Sequence, residues 1–141
     1  MYYVNRQQIE RHLKYFPFII QAAERLRGEF DPNDPLHVLA QERVIHVAIE
    51  SVTDIGSYLI DGFLMRDASS YEDIMEIMRD EKVIRTELFK PLTELVKLRK
   101  ALVQDYDALN SLEFSLIIKE LPGMMEEFSE SVERYLQQEL I

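Results

Sequence analysis

The stretch from Pro35 to Leu64 constrains the fold most. Its apolar residues fall in two helical rows: Val44, Val47, Ile55 and Tyr58 form one, and Ile45, Ala48, Ile49, Val52 and Leu59 the other. Steps of three, four and seven are the period of an α-helix, not of a strand. Two such rows cover too wide an arc for a helix lying on a surface, so this one must be covered on more than one side. It either runs through the middle of a helical bundle or gives one side to a second copy of the chain. Asp34 and Pro35 suit its start, as N-cap and first helical residue.

The rest of the chain supplies helices to cover it. A first helix is expected over residues 4–29, with Ile9, Leu13, Phe16, Ile20 and Ala23 as its buried stripe and Gly28 as its stop. Pro17 removes one helical hydrogen bond and crowds the turn before it, which predicts a bend between Tyr15 and Pro17. Phe30-Asp31-Pro32-Asn33 reads as a turn, and Asp67-Ala68-Ser69-Ser70 as the next break. Ser70 with Asp73 resembles a capping box for a short helix whose Ile74, Ile77 and Met78 point inward; Met75 and Met78 read as gap-filling core. A helix over about residues 82–105 contains Pro91, which should bend or split it. Asn110, with Glu113 three residues on, caps a last helix that runs to the C-terminus with a bend at Leu121-Pro122-Gly123.

No strand-like alternation, internal repeat or long linker interrupts this pattern. The expectation is an all-α fold: residues 1–141 as one domain, an up-and-down bundle of four long helices plus a short one, forming a dimer.

Charge narrows the function. The chain carries 16 Lys and Arg against 26 Asp and Glu, a net charge of −10. A surface so negative does not attract nucleic acid or an anionic membrane as a whole, and DNA is not an expected partner. There is no cysteine, hence no disulfide and no thiolate zinc site. The first residues lack a basic start followed by an apolar run, so no signal peptide is expected, and no apolar run spans a bilayer; the expected location is the cytoplasm.

One stretch sets polar groups close to a helical stripe: Leu95 to Tyr106. Leu95, Leu98 and Leu102 face a core by spacing, and Val96 and Val103 widen the stripe. Arg99 and Tyr106 fall on neighbouring turns of one face, where a guanidinium and a phenol can position a phosphate. The competing reading is that Arg99 only pairs with a surface carboxylate and Tyr106 caps a core. Between Arg79 and Lys100 seven basic residues face four acidic ones, a local reversal of the chain's sign. It reads equally as a phosphate-contacting groove or as a solvated face with pairs such as Lys90 with Glu94.

His46, Glu50 and Asp54 form a row at steps of four. Such a row could hold a metal in a bundle, but no partner helix offers Glu-x-x-His, so a solvated or partly buried polar row is the better reading and no metal or other cofactor is expected. His12 and His37 stand alone. There is no phosphate-binding glycine loop, dinucleotide fingerprint or nucleophile elbow.

The string Leu98-Arg99-Lys100-Ala101-Leu102-Val103-Gln104-Asp105-Tyr106 resembles the HepT-like group of the HEPN superfamily, marked by Arg, four residues, His, one residue, Tyr. Arg99, Tyr106 and the Leu102-Val103 pair match. Lys100 stands where the group has Asn, and Gln104 where it has the catalytic His. The stretch Glu42 to Gly56 resembles the group's long second helix, so the resemblance covers nearly the whole chain.

What the resemblance implies is a metal-independent endoribonuclease toxin of a type VII toxin–antitoxin pair. Two protomers bring their motifs into one cleft, the His acts in RNA cleavage, and the Arg orients the phosphate. The partner is a nucleotidyltransferase antitoxin that adenylylates the motif Tyr. Carried over, the catalytic positions are Arg99 and Gln104, the modification position is Tyr106, and Lys97 and Lys100 are RNA-binding candidates. Gln104 departs in kind: a glutamine amide cannot exchange protons near neutral pH, and losing a positioned acid–base group costs about a hundred- to ten-thousand-fold in rate. The alternatives are a non-catalytic dimeric module that binds RNA or the nucleotidyltransferase, and a structural dimer without ligand.

Overall fold

A computed structural model describes residues 2–140. Among them the order is α1 (Arg6–Glu29), α2 (Pro35–Gly62), α3 (Tyr71–Asp80), α4 (Thr86–Lys97), α5 (Arg99–Gln104) and α6 (Ser111–Glu139), with no strand. The all-α bundle is as expected, and the fourth long helix is made of α4 and α5 end to end.

Local chemistry sets most of the starts. Asn5 accepts from Gln8 N–H, Asp34 from Leu36 N–H, Ser70 from Asp73 N–H, and Asn110 from both Leu112 and Glu113 N–H. Each satisfies a donor that the first helical turn leaves without a partner. Of the box expected at Ser70 and Asp73, only one half forms. The Asp73 carboxylate takes Arg66 at 2.8 Å through both of its oxygens and the Ser69 N–H at 2.9 Å.

α2 is the central element, packed against α1, α3, α4, α5 and α6. Ile45, Ala48, Ile49, Val52, Ile55 and Leu59 are fully buried, each larger aliphatic contributing about 1.5–3 kcal/mol relative to exposure. The wide apolar arc of α2 is therefore covered within one chain. Stacked Phe16 and Phe128 rings, 6.2 Å apart, join α1 to α6, and Phe63 meets Tyr135 edge-on at 5.1 Å. Burial pushes the Tyr135 phenol up to about 12. α3 lies close to α2 at Gly56, where a Cβ would stand 2.4 Å from Ile74 Cγ2.

Three details differ from the reading of the sequence. In α1 the buried stripe passes through Ile19 rather than Ile20. The expected helix over 82–105 begins only at Thr86. α3 closes with Lys82 at φ 62°, its N–H on Arg79 O and the Val83 N–H on Met78 O, a left-handed cap sealed by buried Met78 and Val83. Finally, the split falls at Leu98 and not at Pro91. Leu98 N–H turns to Leu95 O at 3.1 Å, a bond of three residues instead of four. That break rotates α5 relative to α4, which is why Val96 is buried whereas Val103, seven residues later, is 45% exposed.

Candidate functional site

Arg99 opens α5 immediately after the break at Leu98, and its side chain crosses to α2 and α3. Nε donates to Glu50 Oε1 at 2.7 Å, and the guanidinium lies over the Tyr71 ring, 4.0 Å from its centroid. Three helices thus fix one side chain. A carboxylate below and an aromatic face beside it hold a delocalised cation well. The sequence reading in which Arg99 pairs with a carboxylate holds, but the partner comes from another helix. The aromatic partner is Tyr71, which the sequence reading missed. Among the described residues Nη1 and Nη2 make no hydrogen bond, and the side chain is 29% exposed. Two donors therefore remain for an incoming anion.

Glu50 is shared. His46 Nε2 stands 3.3 Å from the same Oε1 that receives Arg99. Further along the row, Asp54 turns to His12 of α1, Oδ2 to Nε2 at 3.9 Å. Burial is the main cause of both shifts there, lowering the His12 imidazole and raising the Asp54 carboxyl, and each partner's charge works against it. Burial also raises Glu42, one step of four before His46. The row is a half-buried polar seam on an otherwise apolar helix, and its members turn to different neighbours rather than to a common point.

Gln104 ends α5 and is exposed. Tyr106 lies past the helix, in a turn closed by Ala108 N–H on Asp105 O at 2.9 Å, and is 68% exposed. It lines a groove of about 440 Å³ together with Asn33, Val38, Leu39 and Glu42. α5 therefore runs antiparallel to α2: Arg99 stands level with Glu50, and Tyr106 level with Leu39 and Glu42. From Glu50 to Glu42 is eight residues, roughly 12 Å along the axis. Arg99 and Tyr106 are thus two ends of a strip rather than neighbours on one helical face, because α5 ends before Tyr106. Tyr106 reaches solvent and caps no core.

The local excess of basic residues is largely spent on partners. Arg85 forks onto Glu127 and also meets Glu87, and Arg79 meets Glu76 and Asp80 while lying over Phe89. Glu94 pairs with Lys97 at 3.7 Å, not with Lys90. Lys100, next to Arg99, is exposed and has no carboxylate within 4.0 Å among the described residues. A wide groove of about 1140 Å³ between α1 and α6 lies elsewhere. Glu10, Glu24, Glu126, Glu130 and Glu133 line it with a single Lys14, a lining that repels a phosphate.

The ribonuclease HepT-like family matches residues 7–132. The chain belongs to this family. It is 36% identical over 140 residues to YutE, a candidate RNase of Bacillus subtilis (strain 168), covering 99% of this chain and 95% of YutE. The solved structure of YutE, described as a cytosolic protein of unknown function, superposes with a TM-score of 0.89 over 99% of this chain and 96% of that one. An AMPylated HEPN toxin of Shewanella oneidensis, solved with its MNT antitoxin, shares the fold at a TM-score of 0.82 and 17% identity, covering 90% of this chain and 97% of that one. Another structural neighbour is a toxin–antitoxin structure with AMP-PNP, at a TM-score of 0.84 and 16% identity over 91% and 98% of the two chains. Among the described residues of this HepT-like chain, no helix is long and apolar enough to cross a membrane.

Proposed function

We propose that this HepT-like protein is a cytoplasmic ribonuclease toxin, paired with a nucleotidyltransferase antitoxin that adenylylates Tyr106. The observation that carries the reading is Arg99: a guanidinium fixed by Glu50 and Tyr71, with two donors left over and exposed Lys100 at its side. Such a group binds a backbone phosphate at low ordering cost. The family membership supplies the reaction class, and the toxin–antitoxin neighbours supply the kind of partner. Lys97 and Lys100 extend the phosphate path. The working unit is a homodimer. With the α2 arc covered inside the chain, its interface is exposed Leu36 with Leu112 and Leu116. Gln41 draws these two helix starts together by bonds to Ser111 O and Ser115 Oγ.

A second reading, a binding module without catalysis, is favoured by Gln104, whose amide cannot carry a proton. The deciding experiment is cleavage of single-stranded RNA by the purified protein beside Arg99→Ala and Gln104→His, all prepared in parallel. The ribonuclease reading expects cleavage by the wild type, its loss in Arg99→Ala, and an increase in Gln104→His. RNA binding without cleavage in the wild type, with cleavage gained only by Gln104→His, establishes the binding module instead.

A further inference from the structure

Cleavage of RNA at a 2′-hydroxyl needs a group that takes up a proton near neutral pH, and Gln104 is not one. The fold sets a different histidine, His46 of α2, beside the carboxylate that holds Arg99. Glu42, His46 and Glu50 succeed one another at steps of four on α2. Glu50 holds Arg99, and Glu42 lines the groove of Tyr106. With α5 running antiparallel along this row, His46 falls in the interval between Arg99 and Tyr106. On α5 that interval belongs to Gln104, two residues before Tyr106. His46 is 28% exposed, open to a ligand without being loose, and its Nε2 is 3.3 Å from the carboxylate that receives Arg99.

We propose that His46, seated on Glu50 beside Arg99, is the proton carrier of RNA cleavage in this chain, in the role that Gln104 cannot fill. The proposal rests on the ribonuclease reading above. The Glu50 carboxylate stands beside the imidazole at Nε2, 3.3 Å away, and leaves Nδ1 as the base. Nδ1 has no hydrogen-bond partner among the described residues. The 2′-hydroxyl gives its proton to Nδ1 while its oxygen bonds to the adjacent phosphorus, held by the Nη groups of Arg99. The bond from phosphorus to the 5′-oxygen breaks, and the departing oxygen takes a proton from water. The imidazolium then returns its proton to solvent. The products are a 2′,3′-cyclic phosphate and a 5′-hydroxyl, so no proton or electron is left over.

The test uses the full chain and an unstructured RNA oligonucleotide, with a fully 2′-deoxy copy as an uncleavable binding probe. His46→Gln is expected to lower the cleavage rate about a hundred- to ten-thousand-fold, with melting and probe affinity unchanged. Adding Gln104→His to His46→Gln is expected to restore cleavage, since a histidine from either helix enters the same gap. His46→Asn serves if His46→Gln melts early. Cleavage undiminished in His46→Gln overturns the proposal and leaves the ribonuclease reading standing. A loss of rate matched by an equal loss of probe affinity also overturns it, because His46 then only binds. Failure of Gln104→His to restore cleavage overturns the shared placement and the proposal with it. A wild type that cleaves nothing overturns the ribonuclease reading, and the proposal falls together with it.

Discussion

Glu50 of α2 and Arg99 of α5 meet at 2.7 Å, Oε1 to Nε, across forty-nine positions of sequence. The pair is about one-third exposed, so it is neither a loose surface contact nor a sealed core pair. Removing either partner alone leaves the other short of hydrogen bonds in a half-buried place. A double-mutant cycle with Glu50→Gln and Arg99→Gln is expected to show a coupling of about 1–2 kcal/mol in urea unfolding, within the range for residues in direct contact. A coupling near zero would mean that solvent screens the pair and that Tyr71 alone holds the guanidinium.

How much of this was legible in the sequence differs by residue. The helices were readable because their apolar steps and caps are local: Asp34, Ser70 and Asn110 cap where their side chains said they would. The break at Leu98 was not. Pro91 is the louder signal, yet α4 runs through it, and what interrupts the helix is a single three-residue hydrogen bond that no residue type announces. The seven-residue step from Val96 to Val103 failed for that reason. Arg99 and the polar row of α2 were each visible alone. Their meeting depends on α5 lying antiparallel on α2, a tertiary fact that neither segment encodes by itself. An acidic residue inside an apolar helix was the one available hint that Glu50 had a partner to hold.

Gly56 sets how near α3 approaches α2. A Cβ there would stand 2.4 Å from Ile74 Cγ2, a branch on a stiff β-branched side chain that is 7% exposed. Alanine gains about 1 kcal/mol of helix propensity over glycine, but forcing the two helices apart costs about 1–3 kcal/mol. Gly56→Ala is expected to lower the melting temperature by a few degrees in calorimetry. An increase would show that α3 slides away at no cost.

Asp73 ties α3 to the end of α2. The bidentate Arg66 and the Ser69 N–H hold its carboxyl well below the usual carboxylate range. A depressed carboxyl contributes fully above its unfolded value, about 3.9, and that contribution fades as the pH falls below it toward the folded value. Asp73→Asn is expected to melt several degrees below wild type at neutral pH. The gap should narrow as the pH drops below about 4, because the unfolded wild-type chain then takes up a proton that the folded carboxyl resists. Melting curves across that range, read as the difference between the two proteins, check the sign. A gap that stays constant with pH would assign the effect to packing instead of charge.

Tyr106 is placed for modification in a way that Tyr71 and Tyr135 are not. Tyr71 lies under Arg99, and Tyr135 is buried with its phenol pushed up to about 12. Tyr106 is 68% exposed, sits in a turn outside any helix, and opens on a groove of about 440 Å³ lined by Pro32, Val38, Leu39 and Leu109, apolar surface against which an adenine could lie. Transfer of an adenylyl group from ATP joins the phenol oxygen to the α-phosphorus and releases pyrophosphate. The new phosphodiester adds a negative charge at one end of the strip whose other end is Arg99. An RNA strand following that strip would meet both the added bulk and a like charge. Incubation with a purified nucleotidyltransferase partner and ATP is therefore expected to add an adenylyl mass to the peptide containing Tyr106 and to none of the other tyrosine peptides. RNA affinity should fall at least tenfold, equivalent to about 1.4 kcal/mol. Tyr106→Phe should accept no label and keep its RNA affinity after the same treatment. If the label settles on another tyrosine, or if labelled protein binds RNA as before, then Tyr106 is not the switch and the strip between it and Arg99 is not the RNA path.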